Sequence, residues 1–174
     1  MSSAPLRAAP DIAVGAWIQG GPNMPLAQWM SGHVVLLHAF QTLCPGCRRH
    51  GVPQAEAVAR AVAGGSGTLA GAPLLVLGLH TPLDAHEPRD AAAVERFARE
   101  LQLTHTIALD AAHDGDPDGF TATFRRFAME GTPTLCLIDG TGRLRRRHLG
   151  PLGDLELGVE LGWLLFELQT ARAD

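Results

Sequence analysis

Two cysteines separated by two residues, Cys44 and Cys47, stand where an apolar run gives way to a helix-forming stretch. The unpaired N–H groups of a helix's first turn and the positive end of its dipole stabilise a thiolate there, so Cys44 is expected to be a nucleophile at neutral pH. Cys47, one turn further on, is placed to resolve a mixed disulfide. Attack by Cys44 on a partner disulfide, followed by attack by Cys47, would release the reduced partner and leave a Cys44–Cys47 bond. Arg48, Arg49 and His50 add positive charge in the same direction. A zinc half-site is the competing reading, and it needs a second ligand pair. Cys136 is embedded in an apolar segment and the eight histidines are dispersed; His80 and His86 do not mend the deficit. The context therefore favours redox chemistry, with no metal and no cofactor beyond the redox-active Cys44–Cys47 pair.

The elements that must hold this pair are readable as pattern. His33 to Phe40 is a continuous run of β-formers, expected as a strand covered on both faces, and Leu74 to Leu79 as a second. Pro45 to Ala63 has a helical composition, with Gly51 and Pro53 bending it and the Gly64-Gly65-Ser66-Gly67 cluster closing it. Pro88 to Leu103 is predicted as a helix, Thr106 to Leu109 as a short strand, and Phe120 to Met129 as a short helix. Thr134 to Ile138 and Arg143 to Leu149 should form an antiparallel hairpin about Asp139-Gly140-Thr141-Gly142. Asp154 is expected to cap a last helix reaching about Ala171. Residues 1–33 suggest an extended arm or short hairpin packed on a single domain of residues 34–174. The order predicts an α/β fold: a central mixed β-sheet flanked by helices, with an N-terminal extension and a C-terminal helix.

Bulk properties exclude several functions. A chain of 174 residues with 46% apolar residues can bury one domain's core. A formal charge of -4 gives no basic footprint for nucleic acid or an anionic membrane. The apolar runs fall far short of the roughly 20 residues a membrane helix takes. Met1 to Pro10 lacks a continuous apolar segment of the secretory kind, so the expected compartment is a reducing cytosol, where a disulfide is transient and catalytic.

Two motifs in order carry a resemblance: Val34-Val-Leu-Leu-His-Ala-Phe-Gln-Thr-Leu-Cys-Pro-Gly-Cys47, and Gly131-Thr-Pro-Thr-Leu-Cys-Leu-Ile-Asp-Gly-Thr-Gly142 with His148-Leu-Gly150. Over most of residues 10–150 the chain resembles the thioredoxin superfamily, and within it the TlpA/ResA-like thiol–disulfide oxidoreductases. The resemblance implies a thioredoxin-like fold. It also implies that Pro133 is cis and faces the cysteines, so that Thr132 and Pro133 form the far wall of a site where an extended substrate segment pairs beside Pro45 and Gly46. His38 departs from the family, which commonly carries a buried acid or amide there. As a neutral imidazole it would take the proton of Cys47; otherwise it is a core histidine satisfied by one backbone partner. Leu43 replaces the usual Trp before the first cysteine, which alters substrate docking.

Other residues have plainer readings. Gln41 and Thr42 are expected in a solvated loop, with lining the groove as the alternative, Cys136 as a buried inert thiol rather than a third redox partner, and His80-Thr81-Pro82 as a strand end that either borders the site or simply caps the strand. Arg143, Arg145, Arg146 and Arg147 read as a solvated basic face. Leu155, Val159, Gly162, Trp163 and Phe166 mark the expected core face of the last helix, leaving Leu161, Leu164 and Leu165 for a dimer contact. The leading function is a thiol–disulfide oxidoreductase, with antioxidant activity, acting on protein or small-molecule disulfides and fed by a thiol donor, as a monomer or homodimer. The alternatives are a peroxiredoxin-like peroxidase, whose Pro-x₃-Thr/Ser-x₂-Cys pattern is missing because Gln41 holds the third position before Cys44, and a non-catalytic metal-binding or interaction domain.

Overall fold

The computed structural model describes residues 7–64 and 69–173. Residues 1–6 of the expected arm, and Gly65, Ser66 and Gly67 of the glycine cluster, lie outside the described residues. Six strands, β1 (Val14–Gln19), β2 (Val34–Phe40), β3 (Leu74–His80), β4 (Thr106–Asp110), β5 (Thr134–Ile138) and β6 (Leu144–Leu149), form one sheet in the order β1-β4-β3-β2-β5-β6. β2, β3 and β4 run parallel, while β1, β5 and β6 pair antiparallel, so the sheet is mixed as expected. β2 is buried along its whole length because both faces are covered, which is what its unbroken apolar run requires.

Alternation along β2 assigns its side chains. Val34 and Leu36 pack with Leu135 and Leu137 against α2 (Val52–Ala63) and α5 (Asp154–Ala173). Val35, Leu37 and Ala39 face Phe124 and Phe127, in and just beyond α4 (Ala122–Arg126). The same parity sends His38 and Phe40 to the α2 side, and Phe40 joins Cys47 and Val52 with Val94, Phe97 and Ala98 of α3 (Ala91–Glu100). The fold thus brings the start of α2 directly over the upper end of β2.

Several boundaries differ from expectation for identifiable reasons. Among the described residues the N-terminal extension begins as an extended segment, with Ala8 bridging Arg143; beyond it, β1 adds an edge to the sheet against β4, and α1 (Leu26–Met30) is a single helical turn that the Pro/Gly-rich composition concealed. α3 starts three residues later than predicted because the Asp90 carboxylate caps it, accepting from Ala93 N–H at 2.9 Å. Asp154 instead accepts a hydrogen bond from Gln54 Nε2 at 2.7 Å.

The largest correction concerns α5, whose core face is the reverse of that predicted. Leu157, Leu161, Leu164, Leu165 and Leu168 are buried on the sheet, whereas Leu155, Val159, Trp163 and Phe166 are 83%, 64%, 59% and 56% exposed. The helix is apolar on opposite sides, so spacing alone does not select the face; the leucine row does, being the one that meets β2 and β5. The arginines of β6 are likewise not simply solvated. Arg145 pairs with Asp139 and Glu167, Arg146 with Glu156 and Glu160, tying the hairpin to α5. Among the described residues, no helix is long and apolar enough to cross a membrane.

Candidate functional site

Cys44 ends the loop that leaves β2, and the helical backbone begins at Pro45. Cys47–Gly51 then forms a π-helical turn that runs into α2. All three cysteines carry free thiols. Cys44 is half-buried and its sulfur accepts the Cys47 backbone N–H at 3.3 Å, a charge-stabilising contact of the kind a helix start offers. Cys47 is fully buried, and burial first, then its hydrogen bond to Cys44, pushes its thiol up to about 12. The Gln41 backbone N–H, 3.5 Å from Cys47 Sγ, works the other way.

Opposite the sulfurs lies the loop before β5. The Thr132–Pro133 peptide bond is cis, and Cys44 Sγ is 3.6 Å from the Thr132 carbonyl oxygen. A side chain at Gly46 would meet Pro133 Cδ at 3.3 Å, so glycine there lets the helix start approach the proline closely. Cys44, Cys47, Gly46, Thr132 and Pro133 are therefore brought together, while Leu43 is exposed beside Cys44, 58% open to solvent. Pro45 is exposed on the outer side. Cys136, in the middle of β5, is fully buried and held up at about 12 by burial. Among the described residues, no three His, Cys, Asp or Glu side chains converge as a metal ligand set.

No protein-family model matches the chain, and no curated protein matches it significantly. Solved structures do. A thiol-disulfide isomerase from Corynebacterium glutamicum is 31% identical over 93% of this chain and 96% of its own, with a TM-score of 0.77. A thioredoxin-like superfamily protein is 34% identical over 91% of this chain and 96% of its own, with a TM-score of 0.78. The chain belongs to the thioredoxin-like superfamily. A DsbE thiol:disulfide interchange protein from Chlorobium tepidum, at 22% identity, 94% and 99% coverage and a TM-score of 0.66, shares the fold.

This thioredoxin-like chain carries a buried histidine on β2. His38 is 1% exposed and stacks on Phe40 at 5.7 Å, and its Nε2 lies 2.3 Å from where a Gly51 side chain would begin. Neither ring nitrogen has a hydrogen-bond partner among the described residues, so the single backbone partner expected from the sequence is not there. Burial first, and the nearby His105 second, lower its pKa to about 3. The imidazole is neutral when folded and charges on unfolding below its ordinary pKa near 6.5. The folded value lies below the unfolded one, so the unfolded chain binds more protons and stability falls as pH drops from about 6.5 toward 3. Between pH 7 and pH 4 this group alone removes up to about 3 kcal/mol. In His38→Leu, chemical unfolding at the two pH values should show that part of the acid loss missing; parallel wild-type and variant stability curves would contradict it.

In this thioredoxin-like site two residues differ from their expected setting and a third, Glu87, is marked by no motif. Gln41 and Thr42 are buried, not in a solvated loop. Gln41 Oε1 accepts from Thr132 Oγ1 at 2.8 Å, and its Nε2 donates to Asp84 Oδ2 at 3.3 Å, bridging the proline loop to the segment after β3. Glu87 of that segment is buried against Thr42, Leu43 and His80. The available signal was positional: His80 to Glu87 follows the carboxyl end of a parallel strand, the edge where open α/β sheets place function.

Proposed function

We propose that the protein is a thiol–disulfide oxidoreductase that reduces or exchanges disulfides through Cys44 and Cys47. The observation that carries the reading is the asymmetry of the two sulfurs: Cys44 is reachable and takes an N–H at the helix start, while Cys47 is buried and strongly protonated one turn behind it. Cys44 thiolate attacks one sulfur of the substrate disulfide. A Cys44–substrate bond forms, the substrate bond breaks, and the leaving sulfur takes a proton. Contact with Cys44 is one cause of the high pKa of Cys47, so tying up the Cys44 sulfur in the mixed disulfide eases ionisation of Cys47 when it is needed. Cys47 then attacks Cys44 Sγ and expels the second substrate thiol. The substrate has gained two electrons, with one proton from Cys47 and one from solvent, and a dithiol donor restores the pair.

With its pKa near 3, His38 is too weak a base to store the Cys47 proton, which instead goes to the departing substrate thiolate. Thr132 and Pro133 form the wall along which an extended substrate backbone lies, and exposed Leu43 offers it an apolar contact. Insulin reduction with dithiothreitol as donor tests the proposal, with peroxide consumption measured alongside. Catalysed insulin precipitation without thiol-dependent peroxide turnover is the expected result; the reverse would replace it with a peroxidase.

A further inference from the structure

The segment joining β3 to α3 reaches back to the two residues that precede Cys44. Glu87, 3% exposed, turns its carboxylate inward and receives four hydrogens. Glu87 Oε1 accepts from the Thr42 backbone N–H, from Thr42 Oγ1 at 2.6 Å and from His80 Nε2 at 2.8 Å, while Oε2 accepts from the Leu43 backbone N–H at 3.1 Å. The carboxylate has only acceptors, so the His80 nitrogen facing it must carry the proton. Asp84 braces the arrangement. Its Oδ1 accepts from the His86 and Glu87 backbone N–H groups at 2.9 and 3.0 Å, and its Oδ2 accepts from Gln41 Nε2, which connects it to Thr132.

Buried carboxylates are costly to desolvate and persist where several donors are held for them. Here those donors are not spread through the core: two are consecutive backbone N–H groups immediately before the reactive sulfur. We propose that Glu87 is a positioning residue for Cys44: its carboxylate fixes the Thr42–Leu43 backbone, and with Asp84 and Gln41 keeps the cysteine loop and the Thr132–Pro133 wall in register. Disulfide exchange needs three sulfurs in line, so a loop displaced by a fraction of an ångström loses rate without losing the thiol. Alkylation of Cys44 by a small reagent has no such demand.

The inference rests on the proposed oxidoreductase function, and the test separates the two. In Glu87→Gln, an amide of the same shape puts an NH₂ where one acceptor oxygen was, opposing an N–H donor with another. The expected result is a fall of about tenfold in kcat for insulin reduction with KM little changed, while iodoacetamide alkylation of Cys44 stays within about twofold of wild type. Thr42→Val, which removes one donor, should fall part of the way, and Thr42→Ser should restore wild-type kcat. Backbone amide exchange of Thr42 and Leu43, read by NMR in the folded protein, should quicken in Glu87→Gln; this readout does not depend on turnover. An active wild type with unchanged kcat in Glu87→Gln and Thr42→Val, or unchanged amide exchange at Thr42 and Leu43, overturns the positioning role. A wild type without disulfide turnover instead overturns the oxidoreductase reading and the role with it.

Discussion

Cys44→Ser should abolish insulin reduction, and Cys47→Ser should accumulate a covalent protein–substrate adduct that dithiothreitol releases. Both outcomes follow from the unequal environments of the two sulfurs. Serine at position 44 keeps the hydrogen bond from Cys47 N–H but offers no thiolate, so turnover should fall at least about a thousandfold, to background. Serine at position 47 leaves the first attack intact and removes the group that expels the substrate, so the mixed disulfide persists. Cys136 does not substitute, being fully buried in β5 with its thiol held at about 12. Non-reducing electrophoresis and intact mass of each variant after reaction check the pair of outcomes. Turnover retained in Cys44→Ser would contradict the assignment of the nucleophile.

Gly51→Ala is expected to be strongly destabilising at a helical position where alanine would ordinarily help. The backbone there is already helical, φ −61° and ψ −48°, so glycine is not needed for conformation. It is needed for space: a β-carbon would lie 2.3 Å from His38 Nε2 and 2.8 Å from Pro133 Cβ. Gaining about 1 kcal/mol of helix propensity does not offset pushing α2 away from β2 and the proline loop, which typically costs 1–3 kcal/mol and more when backbone must move. A net loss of about 2 kcal/mol should lower Tm by roughly 4–8 °C. Because the same contact sets the approach of the helix start to Pro133, disulfide reduction should fall as well. A double-mutant cycle with His38→Ala should show that part of the loss is shared between the two positions. A Tm equal to or above wild type would mean that the helix start sits farther from β2.

How much of this could be read in advance depended on whether a feature is local. The unbroken apolar run of β2, the helix-forming stretch after Cys44, and the turn residues between β5 and β6 are local signals, and those elements stand where expected. The pairing of β1 with β4 spans some ninety residues, and nothing in Val14–Gln19 names its partner. The buried face of α5 is not local information, because both sides are apolar and only contact with the sheet distinguishes them. At the site, the Cys44–Cys47 spacing was visible, whereas Glu87 was not. A glutamate in a polar loop looks like any solvated acid until the fold turns it inward onto Thr42 and Leu43. The position of His38 on β2 is local, but that its ring nitrogens find no partner among the described residues is a property of the packed fold, in which Gly51 closes on it.

The most direct measurement is equilibration of the purified chain across glutathione redox buffers, followed by acid quenching, alkylation and peptide mass mapping. A single two-electron transition should appear, in which the peptide holding Cys44 and Cys47 loses two hydrogens while Cys136 stays a thiol at every potential. If Cys44 and Cys47 never join, or if the bond that forms involves Cys136, the redox pair is not the working centre.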